Sequence, residues 1–263
     1  MANASRNIVW IASYPKSGNT WVRFMACNLL FGRQDSAEAL NVLAPDLHEL
    51  GTQLVESGHT GFVKTHFRHS PALPFADATA AAIYVVREPA DVLASSFHYA
   101  QRSAGIADAS REAFDRYVEA FVQNRGDPRW IKLGMGSWEE NVRSWLRAPH
   151  PFPVIPIRYE DLSADPRGVC AMLAQLLRPN STAQEIDAAV ENSSFARMRE
   201  VEDADIRERR IGIFYKPYLQ GSIDSGRRFM RSGTVGEGAR LLSAAQRTSL
   251  REVFEPLVTE LGY

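Results

Sequence analysis

The stretch Ser13-Tyr-Pro-Lys-Ser-Gly-Asn-Thr-Trp21 decides how this chain folds, because it joins a short apolar run to a segment of helical periodicity. Residues 8–13 are apolar and β-branched, which predicts a strand, and residues 20–30 follow at helical spacing. Gly18 permits a positive φ, so the chain can turn tightly between them. The first amides of the helix then point outward with the positive end of the helix dipole, which predicts an anion-binding turn.

Three further short apolar runs alternate with helical segments along the 263 residues, at 61–65, 82–86 and 154–157. Short apolar strands separated by helices predict an α/β protein with a central, mostly parallel sheet flanked by helices. We therefore expect one domain over 1-263, with a P-loop-like phosphate-binding turn after strand one. In such a sheet ligands bind at the carboxyl ends of the strands.

The composition excludes several classes of protein. The net charge is −1, which lacks the basic excess of a nucleic-acid binder, and no apolar run approaches the length of a membrane span. The chain has two cysteines, Cys27 and Cys170, each in an apolar helical pattern. Buried reduced thiols favour a cytoplasmic protein. The net charge and the absence of a long apolar run lead us to expect no nucleic-acid or membrane partner.

The order of residues in the turn argues against a magnesium–ATP site. A Walker A loop places its lysine after the last glycine, whereas Lys16 precedes Gly18. The third strand ends in the cation Arg87, where a metal-binding carboxylate would be expected. His66 and His69 are spaced like metal ligands, but no cysteine or acidic cluster accompanies them. The sequence therefore predicts a phosphate site and no metal.

Polar residues follow the other strands at the same edge of the predicted sheet. His66 ends the run Lys64-Thr-His66, where its ordinary pKa suits it to act as a base. Arg87 can bind a phosphate through two hydrogen bonds, and Ser95 lies about two helical turns further on. Tyr159 follows the fourth strand. We expect these side chains to face one crevice.

These residues resemble those of the cytosolic-type sulfotransferases, which use 3′-phosphoadenosine 5′-phosphosulfate (PAPS). The start of the chain, Trp10-Ile-Ala-Ser-Tyr-Pro-Lys16, looks closest to bacterial members, including those that sulfate glycopeptide antibiotics. The motifs that carry the resemblance are, in order, Tyr14-Pro-Lys-Ser-Gly-Asn-Thr-Trp21, Lys64-Thr-His66, the segment from Arg87 to Ser95, Gly136-Ser-Trp138, Arg158-Tyr-Glu-Asp161, Ser193-Ser-Phe-Ala-Arg-Met198 and Phe229-Met-Arg-Ser-Gly233.

The resemblance implies a role for each matching residue. His66 would be the catalytic base, Lys16 would stabilise the leaving phosphate oxygen, and Ser95 would hold Lys16 away until the acceptor arrives. No metal would be needed. The residues that would bind the PAPS co-substrate are Lys16, Ser17, Gly18, Asn19, Thr20, Trp21, Arg87, Ser95, Tyr159, Ser193, Phe195, Met198, Phe229, Met230, Arg231, Ser232 and Gly233.

The acceptor is expected to be a small molecule that carries a hydroxyl, with a phenol or ring-bearing alcohol suited to an aromatic wall. Segments 101–109 and 211–226 are expected to be irregular and to form a mobile lid over it. The polar stretch 197–210 is expected to be a solvated helix end and loop. The wall would be drawn from Tyr14, Phe67, Phe97, His98, Tyr99, Phe214, Tyr215 and Tyr218.

Other functions and assemblies stay open on the sequence. An ATP-dependent small-molecule kinase shares the sheet and the phosphate turn, and a non-catalytic nucleotide-binding module would need neither Lys16 nor His66. A homodimer is also open. The lysine-containing dimer motif of animal sulfotransferases is not recognisable near 239–248, so the resemblance implies no particular dimer.

Overall fold

Four parallel strands form a sheet in the order β2-β1-β3-β4. The computed structural model describes residues 7–103 and 110–263. All four predicted strands are confirmed, although the third begins earlier and the fourth ends later than the sequence indicated. The strands are β1 Ile8–Ser13, β2 Gly61–Thr65, β3 Thr79–Val86 and β4 Val154–Arg158.

Helices connect the strands and cover both faces of the sheet. Short 3₁₀ turns lie at Ala76–Ala78 and Pro217–Leu219. The helices are α1 Asn19–Phe31, α2 Ala37–Leu43, α3 Leu47–Leu50, α4 Thr52–Glu56, α5 Pro89–Ser103, α6 Arg111–Gln123, α7 Pro128–Lys132, α8 Trp138–Leu146, α9 Tyr159–Ala164, α10 Pro166–Leu177, α11 Ala183–Asn192, α12 Phe195–Glu208, α13 Gln220–Asp224, α14 Glu237–Leu241 and α15 Ala244–Glu260.

Successive strand residues enter two separate hydrophobic clusters, one on each face. Trp10 and Tyr84 pack with Trp145 of α8 on one face. Ile11 and Ile83 pack with the residues of α1 and α10 on the other. Both faces of the sheet are therefore dry, which is the usual condition of a parallel sheet and the reason that its strands are so apolar. Both cysteines are free and buried, as predicted.

The order of the strands places a crevice between β1 and β3. The chain leaves β1 for β2 on one side, and it leaves β3 for β4 on the other. Because the two connections diverge, the carboxyl ends of β1 and β3 leave a gap, which is where ligands bind in sheets of this kind. None of the helices within 7–103 and 110–263 is long and apolar enough to cross a bilayer.

The expectation for the polar stretch 197–210 is wrong, because most of it belongs to helix α12. Two of its carboxylates are buried acceptors. Glu202 accepts hydrogen bonds from the amides of Phe229 and Met230 at 2.6 and 2.8 Å. Asp205 accepts one from the amide of Ala37 at 2.9 Å. Glu202 therefore holds the segment at Phe229 and Met230 in place, and Asp205 holds the start of α2.

The expectation of two irregular loops is wrong in part, since residues 211–216 and 225–226 are irregular but the residues between them are not. Segment 211–226 contains a 3₁₀ turn and helix α13, and Tyr215, Leu219 and Ile223 form a small hydrophobic cluster. Of segment 101–109, the first residues form the end of α5, and 104–109 lie outside the described residues.

Gly238 packs against the start of α5 at a point that has no room for a side chain. A Cβ atom there would lie 2.1 Å from the carbonyl oxygen of Ala90. The Asp91 carboxylate accepts hydrogen bonds from the amides of Gly236 and Gly238 at 2.9 and 2.7 Å. It also pairs with Arg87 at 3.0 Å. These contacts fasten α14 to the carboxyl end of β3.

We predict that Gly238→Ala lowers the free energy of unfolding by about 1–3 kcal/mol, because the added methyl group meets backbone atoms that cannot rotate away. Urea unfolding followed by tryptophan fluorescence measures the change. Gly221→Ala is the matched control, since a Cβ there meets nothing within 4 Å and Gly221 lies in α13. Equal midpoints for the two variants would contradict this packing.

Candidate active site

The turn after β1 holds its shape through a strained backbone and one buried side chain. Lys16 has a φ of 70° and Gly18 a φ of 103°. The Asn19 amide group donates to the Ile11 carbonyl oxygen at 2.9 Å. The backbone amides of Gly18, Asn19 and Thr20 make no backbone hydrogen bond within the described chain. These amides are therefore available to an anion.

The Tyr159 ring joins three parts of the site. A Cβ atom on Gly18 would lie 2.5 Å from this ring, so only glycine allows the approach. The Arg87 guanidinium carbon lies 4.0 Å from the centre of the ring. The Tyr159 hydroxyl donates to the Gly233 carbonyl oxygen at 3.0 Å. Trp21 packs edge-on against the same ring at 5.7 Å.

A cavity of about 740 Å³ opens at the carboxyl ends of the strands. It brings together most of the residues that the sequence assigned to one site, from all four strand ends and from the segment before α14. The predicted residues that line it are Lys16, Gly18, Asn19, Thr20, Trp21, His66, Arg87, Ser95, Tyr159, Phe195, Phe229, Met230, Arg231, Ser232 and Gly233.

Ser17, Ser193 and Met198 are not among the residues that line this cavity in the described chain. Ser17 is buried in the turn and Met198 in the core. The Ser193 hydroxyl accepts a hydrogen bond from the Asn28 side chain at 2.8 Å. This bond holds the start of α12, where Phe195 lies.

His66 is held in one orientation and one tautomer. Its Nδ1 lies 2.9 Å from the Ser13 carbonyl oxygen. A carbonyl oxygen only accepts, so Nδ1 carries the proton and Nε2 keeps its lone pair. The His66 amide donates to His48 Nε2 at 2.7 Å, and its carbonyl accepts from Asn141 at 2.9 Å. Burial, with Lys64 and His48 nearby, holds the pKa of His66 well below its usual value. His66 is thus a neutral imidazole at neutral pH.

Lys16 lies between two aromatic rings. Its Nζ atom is 4.3 Å from the ring centres of both Tyr99 and Phe229. Burial, together with the nearby Arg102 guanidinium, lowers the pKa of Lys16 to about 7. An anion bound beside Lys16 would raise this pKa again. The ammonium group is therefore ready for a ligand that brings negative charge.

A buried pair beneath His66 escaped the sequence analysis. Lys64 Nζ lies 2.8 Å from Asp46 Oδ2, and both residues line the cavity together with His48. Burial lowers the pKa of His48 to about 4, so it stays a neutral acceptor for the His66 amide. Lys64 could have been found from Lys64-Thr-His66. Asp46 and His48 carry no local signal of their position.

Two arginines that line the cavity, Arg231 and Arg87, form ion pairs with carboxylates. Arg231 donates through both terminal nitrogens to the Glu237 carboxylate, at 2.7 Å to Oε1 and also to Oε2. Ser232 donates to the same carboxylate at 3.2 Å. Arg87 pairs with Asp91, but its Nε has no hydrogen-bond partner among residues 7–103 and 110–263.

The aromatic wall is partly as predicted. Phe67, Tyr99 and Tyr218 line the large cavity, and His98 lines a smaller cavity beside it. The other four predicted residues, Tyr14, Phe97, Phe214 and Tyr215, are buried and do not line either cavity in the described chain. The apolar residues that the prediction missed include Leu47, Pro74, Trp130, Leu133, Met135, Ile213 and Leu219.

No group of three or more residues that could hold a metal ion occurs in the part of the chain that the structure describes. The lining of the large cavity includes cations, aromatic rings and two histidines, together with the free amides of the turn; its three carboxylates belong to Asp46, Glu49 and Glu237, and each of them is paired with a lysine or an arginine. This set of donors binds phosphate or sulfate groups.

Comparisons with known proteins identify relatives of the whole chain. Residues 6–262 match the family described as Sulfotransferase domain. The chain is 26% identical over 250 residues to the 3-beta-hydroxysteroid sulfotransferase of Cavia porcellus, which covers 92% of this chain and 80% of the relative. This relative is mammalian, so the match gives no support to the expected likeness to bacterial members.

Solved structures share the fold. Retinol dehydratase in complex with androsterone and the inactive cofactor PAP gives a TM-score of 0.71 at 19% identity, and the match covers 97% of this chain and 81% of that one. Mouse sulfotransferase SULT7A1 complexed with PAP gives 0.70 at 20% identity, with 98% and 84% covered. These similarities confirm the predicted α/β fold.

We predict that Lys16 reacts with acetic anhydride as an amine with an apparent pKa of about 7, because burial and Arg102 disfavour its charged form. The chain has four lysines, so mass spectrometry of its peptides follows each one across a pH series. Lys132 is exposed and is the internal reference. Removing a neighbouring charge in Arg102→Gln should move the midpoint of Lys16 upward. A Lys16 midpoint near 10 would contradict the prediction.

Proposed function

Because the chain belongs to the sulfotransferase domain family, we propose that it transfers a sulfuryl group from PAPS to the hydroxyl of a small-molecule acceptor. One observation carries the proposal. Lys16, from the turn after β1, and His66, from the end of β2, line one cavity that also holds the free amides of the turn. A cation, a neutral base and an anion site are the groups that an in-line sulfuryl transfer needs.

The nucleotide end of the cavity fits PAPS by its donors. The amides of Gly18, Asn19 and Thr20, with Lys16, would hold the 5′-phosphosulfate. Trp21 Nε1 is a buried donor without a partner within the described residues. We propose that Trp21, Tyr159 and Phe195 surround the adenine. Arg87, Ser95 and the segment Arg231 to Gly233 would hold the 3′-phosphate. The Glu237 carboxylate accepts the hydrogen bonds of Arg231 and Ser232 in this structure. A phosphate must therefore displace the carboxylate or share these donors with it.

His66 acts as the general base in this proposal. Its Nε2 lone pair accepts the proton of the acceptor hydroxyl while that oxygen attacks sulfur. The bond between sulfur and the bridging oxygen breaks, and the bond to the acceptor oxygen forms. The hydrogen bond from Nδ1 to Ser13 stabilises the imidazolium that results. The products are the sulfated acceptor and PAP, adenosine 3′,5′-bisphosphate.

Lys16 stabilises the negative charge that develops on the leaving phosphate oxygen. Ser95 lines both cavities together with Lys16, and we propose that it holds Lys16 away before the acceptor binds. Burial keeps the His66 base neutral, and the positive charge of Lys64 adds to this effect. The acceptor would enter along Phe67, Tyr99 and Tyr218, which suits a ring-bearing alcohol or phenol.

The alternative kinase needs a metal-bound ATP, and neither the order of Lys16 and Gly18 nor the Arg87 that follows β3 favours one. The non-catalytic module would not need a base. His66 is nevertheless held through its ring, its amide and its carbonyl, which is more support than a nucleotide contact requires.

We predict that His66→Ala lowers kcat by about 10²- to 10⁴-fold while PAP still binds, because the variant loses the base and keeps the phosphate site. The assay measures sulfate transfer from labelled PAPS to a panel of hydroxylated acceptors. His59→Ala is the control, since His59 lies before β2 and does not line the cavity in the described chain. Near-normal turnover in His66→Ala would place the base elsewhere, with His98 the next candidate.

We predict that binding depends on the 3′-phosphate and not on Mg²⁺. At 100 times its Kd a ligand adds about 2.7 kcal/mol to stability, which for a chain of this size raises Tm by roughly 5–10 °C. PAP should give this rise with EDTA present, and 5′-AMP much less. Arg87→Ala should remove the difference. If ATP with Mg²⁺ stabilises the protein more than PAP does, the kinase alternative replaces our proposal.

A further inference from the structure

We propose that the acceptor carries an anionic group, such as a carboxylate, and that Arg102 binds this group. The proposal rests on the proposed sulfuryl transfer and names the class of acceptor. Arg102 lies in the last turn of α5, two turns beyond Ser95. It lines both the large cavity and a smaller one of about 280 Å³ that adjoins it.

Arg102 is buried with part of its hydrogen-bonding capacity unused. Only 3% of the residue is exposed. Its Nη2 donates to the Phe214 carbonyl oxygen at 2.7 Å, and its Nε has no hydrogen-bond partner among residues 7–103 and 110–263. The Ser222 hydroxyl donates a hydrogen bond to the backbone carbonyl oxygen of Arg102, and this bond would form with any side chain at position 102. A structural role therefore leaves the charge unexplained.

The charge of Arg102 has no direct counter-ion in the described chain. Glu202 is the acidic residue that most favours its charged form, but that carboxylate accepts the amides of Phe229 and Met230. A buried guanidinium without a paired carboxylate is costly, and natural proteins keep such groups where a ligand compensates them. An anion in the cavity would do so.

The smaller cavity is lined by cations and by no acidic side chain among the described residues. Walls of one charge concentrate an anionic ligand and orient it. Three of the outer arginines already have partners, since Arg199 donates to Met230, Arg228 pairs with Asp203 and Arg227 donates to Ser225. The charged side chains of the lining are Lys16, Arg102, Arg199, Arg227, Arg228 and Arg231.

The position of Arg102 favours the acceptor over the nucleotide as the source of the anion. The nucleotide phosphates have Lys16, Arg87, Arg231 and the free amides of the turn. Arg102 lines the large cavity together with Tyr99 and Tyr218, which belong to the aromatic wall. An acceptor lying along these rings would present its charged group to Arg102 and its hydroxyl to His66.

The test compares acceptors that differ only in charge. Each hydroxylated acid, beginning with 4-hydroxyphenylacetate, is paired with its amide, and larger ring-bearing acids and amides extend the series. We expect wild-type kcat/KM to favour the acids by about 10- to 100-fold, the effect of one charge-assisted hydrogen bond. Acids that react no better than their amides, or that neither react nor bind to the PAP-loaded protein, overturn the proposal.

Arg102→Gln shows which residue carries the preference. We expect it to raise KM for the acids and to remove most of their advantage, while Arg102→Lys keeps part of it. Arg251→Gln is the control for net charge, since Arg251 is exposed on α15. If Arg102→Gln instead lowers kcat equally for acids and amides, or weakens PAP binding, Arg102 serves the sulfuryl group or the nucleotide and the proposal is wrong.

The proposed function and this inference fail in different ways. If no acceptor is sulfated and PAP does not raise Tm, the sulfotransferase proposal fails first. If amides are sulfated and acids are not preferred, only the present inference fails. Should the Arg102 variants not fold, the ratio of kcat/KM for the acids to kcat/KM for the amides in the wild-type protein still tests whether the acceptor is anionic.

Discussion

The site depends on the close packing of the Tyr159 ring between Gly18 and the Arg87 guanidinium. This ring comes from the end of β4, whereas the groups that it touches follow β1 and β3. Its hydroxyl reaches further, to the backbone at Gly233. One side chain therefore sets the distance between the phosphate turn and the segment that closes the nucleotide end. A larger residue at position 18 would separate them.

The second constraint is electrostatic. Lys16, Arg87 and Arg102 gather at one end of a parallel sheet, where burial disfavours each charge. Asp91 offsets Arg87, and Glu237 offsets Arg231. Lys16 and Arg102 have no such partner in the part of the chain that the structure describes. The protein thus holds a site that is unfavourable until negative charge enters it, and the binding of an anion relieves that cost.

The sequence predicted the features that short-range physics determines. The four strands and the tight turn at Gly18 follow from local pattern, and both are confirmed. Asp46 could not be found in this way, because its partner Lys64 is 18 residues away and in another element. Glu237 could not be found either, because the irregular segment that brings Arg231 to it has no periodic pattern. The same reason explains 197–210: its charges look solvated until the segments that bury them are known.

The pKa values of His66 and Lys16, the two ionisable groups of the proposed chemistry, are both lowered, so the neutral form of each is favoured. The consequences for the two residues are opposite. For His66 the neutral form is the working form, since Nε2 must accept a proton. For Lys16 the charged form is the working form, and its pKa of about 7 means that the empty protein holds it only half charged near neutrality. A bound anion raises that pKa, so above pH 7 binding takes up a proton and weakens as the pH rises further. Nucleotide binding therefore converts Lys16 to the cation that the reaction needs, while the His66 imidazole in the same cavity stays neutral.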